Sequence, residues 1–134
     1  MNDSVATIFY VDDDADDIFF LKETLVHNGR KEELISAANG EEAIEYLKNN
    51  ALKKLPDLIV LDLNMPRIDG RQTLKYIKEQ KNLQDIPVVV LSTSESNLDK
   101  EMCKNLGAVS YLQKPSYFEG YKEILNKIIP ILEG

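Results

Sequence analysis

Three short apolar runs punctuate the chain: "ATIFYV" at 6–11, "DLIVLDL" at 57–63 and "IPVVVLS" at 86–92. They are continuous rather than alternating, which fits strands buried on both faces. Two weaker candidates, "ELISAA" at 33–38 and "VSYLQK" at 109–114, share their length but not their density of apolar residues. Helical periodicity fills the gaps. In 16–28, Ile18, Phe19, Leu21, Leu25 and Val26 recur at helix-like spacing, and Asn28-Gly29 provides a stop. In 41–50, Ala43, Ile44 and Leu47 mark one face, and in 70–80 Leu74 and Ile77 do the same. Segment 97–106 ends at Gly107. Segment 117–129 carries Tyr121, Ile124, Leu125, Ile128 and Ile129, with Pro130 expected to end or kink it.

Strand and helix therefore alternate five times. Such alternation predicts an α/β fold, a parallel sheet with helices on both faces joined by right-handed crossovers. In open sheets of this kind, ligands bind beyond the carboxyl ends of the strands, where strand order reverses. The common small solution is the doubly wound order 2-1-3-4-5, which gathers the ends of the first, third and fourth strands.

Composition narrows the function classes. With 134 residues, 43% of them hydrophobic and 29% charged, the chain suits one domain around one core. A formal net charge of −7 argues against nucleic-acid binding through a basic face. The single cysteine, Cys103, cannot form an internal disulfide; a reducing, cytoplasmic setting and a buried thiol are expected. No apolar run approaches the ~20 residues that span a bilayer, and the N-terminus lacks a signal-peptide pattern. No repeat or linker marks a second domain, so one domain over 1–134, with a core of about 6–132 and no output domain, is expected.

Polar residues at the predicted strand ends carry the chemistry. Asp12, Asp13 and Asp14 follow the first run; Asp62 lies in the third, Ser92 ends the fourth, and Lys114 ends the fifth. Two carboxylates ~4 Å apart repel by about 4 kcal/mol at an effective dielectric of ~20. Such a cluster persists if a divalent cation or a lysine neutralises it, or if one acid stays protonated. Hard oxygen ligands with open positions favour Mg²⁺, which readily shares its shell with a phosphate. A carboxylate can also be the nucleophile that accepts a phosphoryl group. Singly these residues are bland. Asp16 and Asp17 read as helix-start acids, favoured by the helix dipole, and Asp14 as a cap; His27 reads as a surface residue near a helix end.

Together the motifs "VDD" at 11–13, "LDLNMPRIDG" at 61–70, "VVVLSTSE" at 88–95 and "GAVSYLQKP" at 107–115 resemble the receiver domains of two-component response regulators, the CheY-like fold. The match runs from about Ile8 to Leu132. The central wording is similar to that of the stand-alone group that includes phytochrome-associated response regulators. The resemblance implies that Asp62 accepts a phosphoryl group from a histidine kinase or phosphotransfer protein. It implies Mg²⁺ held by Asp13 and Asp62, by Asp12 partly through water, and by the backbone carbonyl of Asn64. Ser92 and Lys114 would hold the phosphoryl oxygens, and Tyr111 would be an aromatic switch coupled to Ser92. Pro115 would follow a cis peptide that aims Lys114 inward. Phosphorylation would then bias a surface built from the fourth helix, fifth strand and fifth helix. Tyr117, Phe118 and Tyr121 either present a partner or dimer face there or simply pack the last helix. Gly70 has a backbone reason, a turn into the third helix, and Thr93 and Ser94 would lie beside the phosphoryl site. Extra length around "NNALKKLP" and the third aspartate are small departures from the family pattern.

Three alternatives accompany this reading. A Mg²⁺-dependent phosphatase of the haloacid-dehalogenase kind would use an Asp-x-Asp pair, here Asp12 and Asp14, but would leave the block at Asp62 unexplained. An unphosphorylated scaffold would leave the whole set of site residues unexplained. A flavodoxin-like cofactor role would need a Ser/Thr/Gly-rich phosphate loop after the first strand, and none is there.

Overall fold

The computed structural model describes residues 5–50, 53–65 and 68–134. Ala51 and Leu52, within the expected long segment, and Pro66 and Arg67 of the central motif lie outside the described residues. The strands are β1 (Thr7–Val11), β2 (Glu33–Ala37), β3 (Leu58–Leu61), β4 (Val88–Ser92) and β5 (Ser110–Gln113). The helices are α1 (Ala15–His27), α2 (Gly40–Asn49), α3 (Gly70–Glu79), α4 (Asn97–Asn105) and α5 (Tyr121–Glu133), with a 3₁₀ turn at Phe118–Gly120 before the last. All strands are parallel, in the order β2-β1-β3-β4-β5. This is the expected CheY-like doubly wound sheet.

Side chains that alternate along each strand feed two separate cores. Ile8 and Tyr10 of β1, Leu58 and Val60 of β3, and Val89 and Leu91 of β4 pack with Leu21, Leu25, Tyr121, Ile124, Leu125 and Ile128 under α1 and α5. Phe9 and Val11, Ile59 and Leu61, and Val88 and Val90 face Ala43, Leu47, Leu74, Ile77 and Cys103 under α2, α3 and α4. The three dense apolar runs are the three interior strands, buried throughout. The two weaker runs are the sheet edges β2 and β5, which are only partly covered and so carry mixed residues.

Helix starts follow capping chemistry. Asp14, Asn39, Asp69 and Ser96 each accept a backbone N–H of the first turn of α1 to α4, and Asp69 forms a reciprocal capping box with Gln72. Gly107, at φ 107°, follows α4 in a left-handed conformation that a side chain would disfavour.

Two expectations need correction. The α1 pattern groups Phe19 and Val26 with the core, yet they are 55% and 62% exposed. They lie seven residues apart and share an outward stripe, while Phe20 turns in toward Phe118 and Tyr121 at ring separations of 5.7 and 5.9 Å. Pro130 does not end α5, which runs on to Glu133. A proline costs a helix one N–H, and the Gly134 N–H still reaches the Pro130 carbonyl at 2.9 Å.

Candidate functional site

Sheet register builds the site. Val11 lies beside Leu61, and Leu61 beside Val90. The ladder continues one residue beyond three strands: Asp62 N–H donates to the Val11 carbonyl at 2.9 Å, Asp12 N–H to that of Ala37 at 3.0 Å, and Lys114 N–H to that of Ser92 at 2.8 Å. Asp12, Asp62 and Lys114 therefore sit at the same end of β1, β3 and β5. Strand alternation gives Asp12 the parity of Tyr10, and Asp62 that of Val60, so all three lean toward the α1 and α5 side.

There the Lys114 ammonium is shared. It lies 2.8 Å from Asp12 Oδ2, 2.8 Å from Asp17 Oδ2 and 3.5 Å from Asp62 Oδ2. Asp12 is fully buried and heavily committed, with Oδ2 also accepting the Tyr10 hydroxyl at 2.9 Å and Oδ1 accepting the Asp14 N–H at 2.9 Å. Asp62 is buried too, and its Oδ1 accepts the Asn64 N–H at 3.3 Å. Asp13 is exposed. Carboxylate oxygens of Asp12, Asp13 and Asp62 lie within 4.8 Å of one another.

The electrostatics follow from three carboxylates around one ammonium, with a fourth acid, Asp13, beside them. Burial, with the charges of Asp12 and Asp13, raises the Asp62 pKa to about 6 against the pull of Lys114 and the Asn64 N–H. Burial also raises Asp12, although Lys114, the Asp14 N–H and Tyr10 oppose it. For Lys114, burial pulls the ammonium down, but hydrogen bonds to Asp12 and Asp17 and the charge of Asp62 outweigh it and leave the pKa raised. The ammonium stays charged and still leaves the cluster short of positive charge. An all-oxygen donor set with that deficit fits a hard divalent cation such as Mg²⁺.

These observations match a known family along most of the chain: the response regulator receiver domain covers residues 8–126. The chain belongs to that family. A phosphorylated cyanobacterial phytochrome response regulator, RcpA, is 34% identical and superposes with a TM-score of 0.89, covering 98% of this chain and 96% of that one. The Mn²⁺-bound form of response regulator Rcp1 is 32% identical, with a TM-score of 0.82 over 92% of this chain and 91% of that one. A probable methanogenesis regulatory protein, FilR2 of Methanothrix harundinacea (strain 6Ac), is 38% identical over 92 residues, 67% of this chain and 59% of that protein. The chain spans between 24% and 59% of the length of FilR2 and three other curated relatives.

Within the receiver, the sequence-predicted residues divide. Asp12, Asp13, Asp62 and Lys114 come together. Ser92 ends β4 with the parity of Val90, and its hydroxyl oxygen accepts the Ser94 N–H at 3.1 Å, a bond within its own loop. Tyr111 is half-buried, and its hydroxyl donates to the Ser94 carbonyl at 3.0 Å, so Ser94 links the two residues expected to move together. Asn64 is exposed on the loop after β3, beside Asp62. Asp14 stands apart: its carboxylate caps α1 by accepting the Asp16 N–H at 2.9 Å, which removes the second acid of an Asp-x-Asp pair. Of the three late aromatics, Tyr121 is fully buried and Phe118 packs on Phe20 and His27. Tyr117 is 65% exposed.

The expectation for Pro115 is wrong. No cis peptide occurs among the described residues, so Lys114–Pro115 is trans, the state favoured by roughly 0.5–1 kcal/mol in X–Pro bonds. Lys114 needs no cis bond to point inward. Its backbone is held by Ser92 and its ammonium by three carboxylates.

Sequence reading missed Tyr10, Asp17 and Tyr121 as neighbours of the site. Tyr10 was accessible to it, because a residue two positions before Asp12 in a strand shares its face. Asp17 was not. Its partner Lys114 is 97 residues away, and its position in the first turn of α1 already has a sufficient local explanation. Tyr121 donates its hydroxyl to Asp17 Oδ1 at 2.9 Å. Gly70 has a different reason from the expected turn. A Cβ there would overlap the Asp62 carbonyl oxygen and crowd Leu63 Cα at 2.6 Å, so α3 packs directly on the backbone that carries Asp62.

Proposed function

We propose that this receiver takes a phosphoryl group onto Asp62 from a histidine kinase or phosphotransfer protein in the cytoplasm. On this reading residues of about 6–132 act as one two-component switch. The observation that carries it is the placement of Asp62: a buried carboxylate at the end of the central strand, next to two further acids and 3.5 Å from a lysine. A carboxyl with a pKa near 6 is ionised at neutral pH and available as a nucleophile. An Asp62 oxygen bonds to phosphorus as the donor's nitrogen–phosphorus bond breaks, and the histidine nitrogen leaves with the electron pair. The product is an acyl phosphate. Asp12, Asp13, Asp62 and the Asn64 carbonyl would hold Mg²⁺, with Asp12 acting partly through water because both its oxygens already accept hydrogen bonds. Bound Mg²⁺ supplies positive charge against the transferring oxygens.

Lys114 moves from its carboxylates to the new phosphoryl oxygens. Ser92, whose oxygen accepts the Ser94 N–H, donates its hydroxyl proton to a phosphoryl oxygen, and its movement toward that oxygen shifts the loop that holds Tyr111. Tyr111 lines a groove of about 360 Å³ between α4 and β5, so its movement alters that surface. Exposed Tyr117 lines a separate groove between β5 and α5, where it would join a partner or homodimer face; Phe118 and Tyr121 serve mainly to pack α5. Incubation with acetyl phosphate and Mg²⁺ tests the reading by intact-mass measurement. Wild type gains one phosphoryl group and Asp62→Asn gains none; labelling that survives Asp62→Asn would sink it.

A further inference from the structure

Asp17 is more than a helix-start acid. It sits in the first turn of α1, partly buried, with both carboxylate oxygens engaged. Oδ2 is 2.8 Å from the Lys114 ammonium, as close as that of Asp12 and closer than that of Asp62. Oδ1 accepts the hydroxyl of Tyr121, the fully buried first residue of α5. Charged pairs of this kind are strong when solvent is excluded, and Lys114 is almost completely shielded.

Building on the proposed phosphoryl chemistry, we propose that Asp17 is a positioning residue that restrains Lys114 away from Asp62 and so limits how readily the site takes a phosphoryl group. The geometry is that of a competition. The ammonium has two partners at 2.8 Å, and one of them, Asp12, also lies beside the metal-ligand set, where a cation would share its charge. Asp17 is not among those three acids, so its hold on Lys114 persists when the metal binds. Transfer of the ammonium to a phosphoryl oxygen must loosen it. Tyr121 keeps its hydrogen bond to Asp17 as this happens, which ties the restraint to the start of α5.

Beryllofluoride with saturating Mg²⁺ is the probe, with affinity followed by NMR titration. Asp17→Asn preserves an acceptor for Tyr121 and removes the charge. It should tighten beryllofluoride binding by roughly tenfold in the wild-type background and by less than about twofold in a Lys114→Met background. Equal tightening in both backgrounds would show a general field effect and overturn the proposal, as would no change or weaker binding in Asp17→Asn alone. Should Lys114→Met bind too weakly to titrate, the ¹⁵N-detected Lys114 ammonium decides. Its protons exchange slowly in wild type and fast in Asp17→Asn; equal exchange rates overturn the restraint. Failure of the wild type to bind beryllofluoride would instead remove the receiver chemistry itself, a result separate from either.

Discussion

Replacing Asp62 by Asn should make the protein more stable at neutral pH, even as it abolishes phosphorylation. Burial raises the Asp62 pKa from 3.8 to about 6. A carboxyl whose folded pKa is raised binds more protons in the folded than in the unfolded chain between those two values. Stability is therefore lost as pH climbs from about 4 to about 6, and stays lost above. At about 1.36 kcal/mol per pH unit, ionised Asp62 costs about 3 kcal/mol of stability at pH 7.5 and roughly half of that at pH 5. Asparagine can keep the 3.3 Å contact with the Asn64 N–H and carries no charge to bury, so it recovers most of that amount.

The assay is urea unfolding in a chelator, followed by far-ultraviolet circular dichroism because the chain contains no tryptophan. Wild type and Asp62→Asn are compared at pH 5.0, 6.0 and 7.5, and subtraction cancels the titrating groups that do not face Asp62. The gap should widen from pH 5.0 to 7.5. Mg²⁺ at a hundred times its dissociation constant should then close it, since binding to the native state alone adds about 2.7 kcal/mol. An Asp62→Asn variant less stable than wild type at pH 7.5, or a gap independent of pH, would refute the reasoning. The 3.5 Å pair with Lys114 would then outweigh the desolvation of Asp62.

Two further substitutions separate local structure from chemistry. Asp14→Ala removes the N-cap of α1 and should cost about 1 kcal/mol in urea unfolding while leaving the rate of acetyl phosphate labelling within about twofold of wild type. A collapse of labelling would return Asp14 to the metal-binding set. Gly70→Ala forces α3 off the Asp62 and Leu63 backbone and should cost roughly 1–3 kcal/mol. Labelling should also slow, because the peptide that carries Asp62 must shift; an alanine variant of unchanged stability would show that the contact relaxes freely.

Legibility in the sequence followed burial and locality. β1, β3 and β4 declare themselves because each is covered on both faces, so nearly every residue from Ile8 to Val11, Leu58 to Leu61 and Val88 to Leu91 must be apolar. β2 and β5 show weaker patterns because a sheet edge tolerates Glu33, Ser36, Ser110 and Gln113. The clustered acids were legible for a related reason: Asp12 and Asp62 directly continue buried strands, and acids at the ends of two different strands point to one shared site. Phe19 and Val26 misled because a stretch rich in apolar residues on several sides of a helix does not show which side faces the sheet. The orientation of Lys114 was inferred correctly but for the wrong reason, since a trans bond and three carboxylates achieve it.

The five aspartates between Val11 and Ile18 show how one charge-dense stretch divides its labour. Asp12 continues the strand and is buried, so its charge is answered from three sides by Tyr10, Lys114 and the Asp14 N–H. Asp13, next in line, turns outward, and its carboxylate comes within 4.8 Å of those of Asp12 and Asp62. Asp14 leaves the strand and spends its carboxylate on the helix. Asp16 stays exposed in the first turn, while Asp17, one residue on around the helix, swings back under the sheet to Lys114. A helix advances about 100° per residue, so the turn that begins at Asp14 directs Asp17 to the strand ends and Asp16 to water. Lengthening or shortening the Asp12–Asp17 spacing by one residue would therefore break the hold on Lys114 while leaving both the acidic pair and the helix start intact.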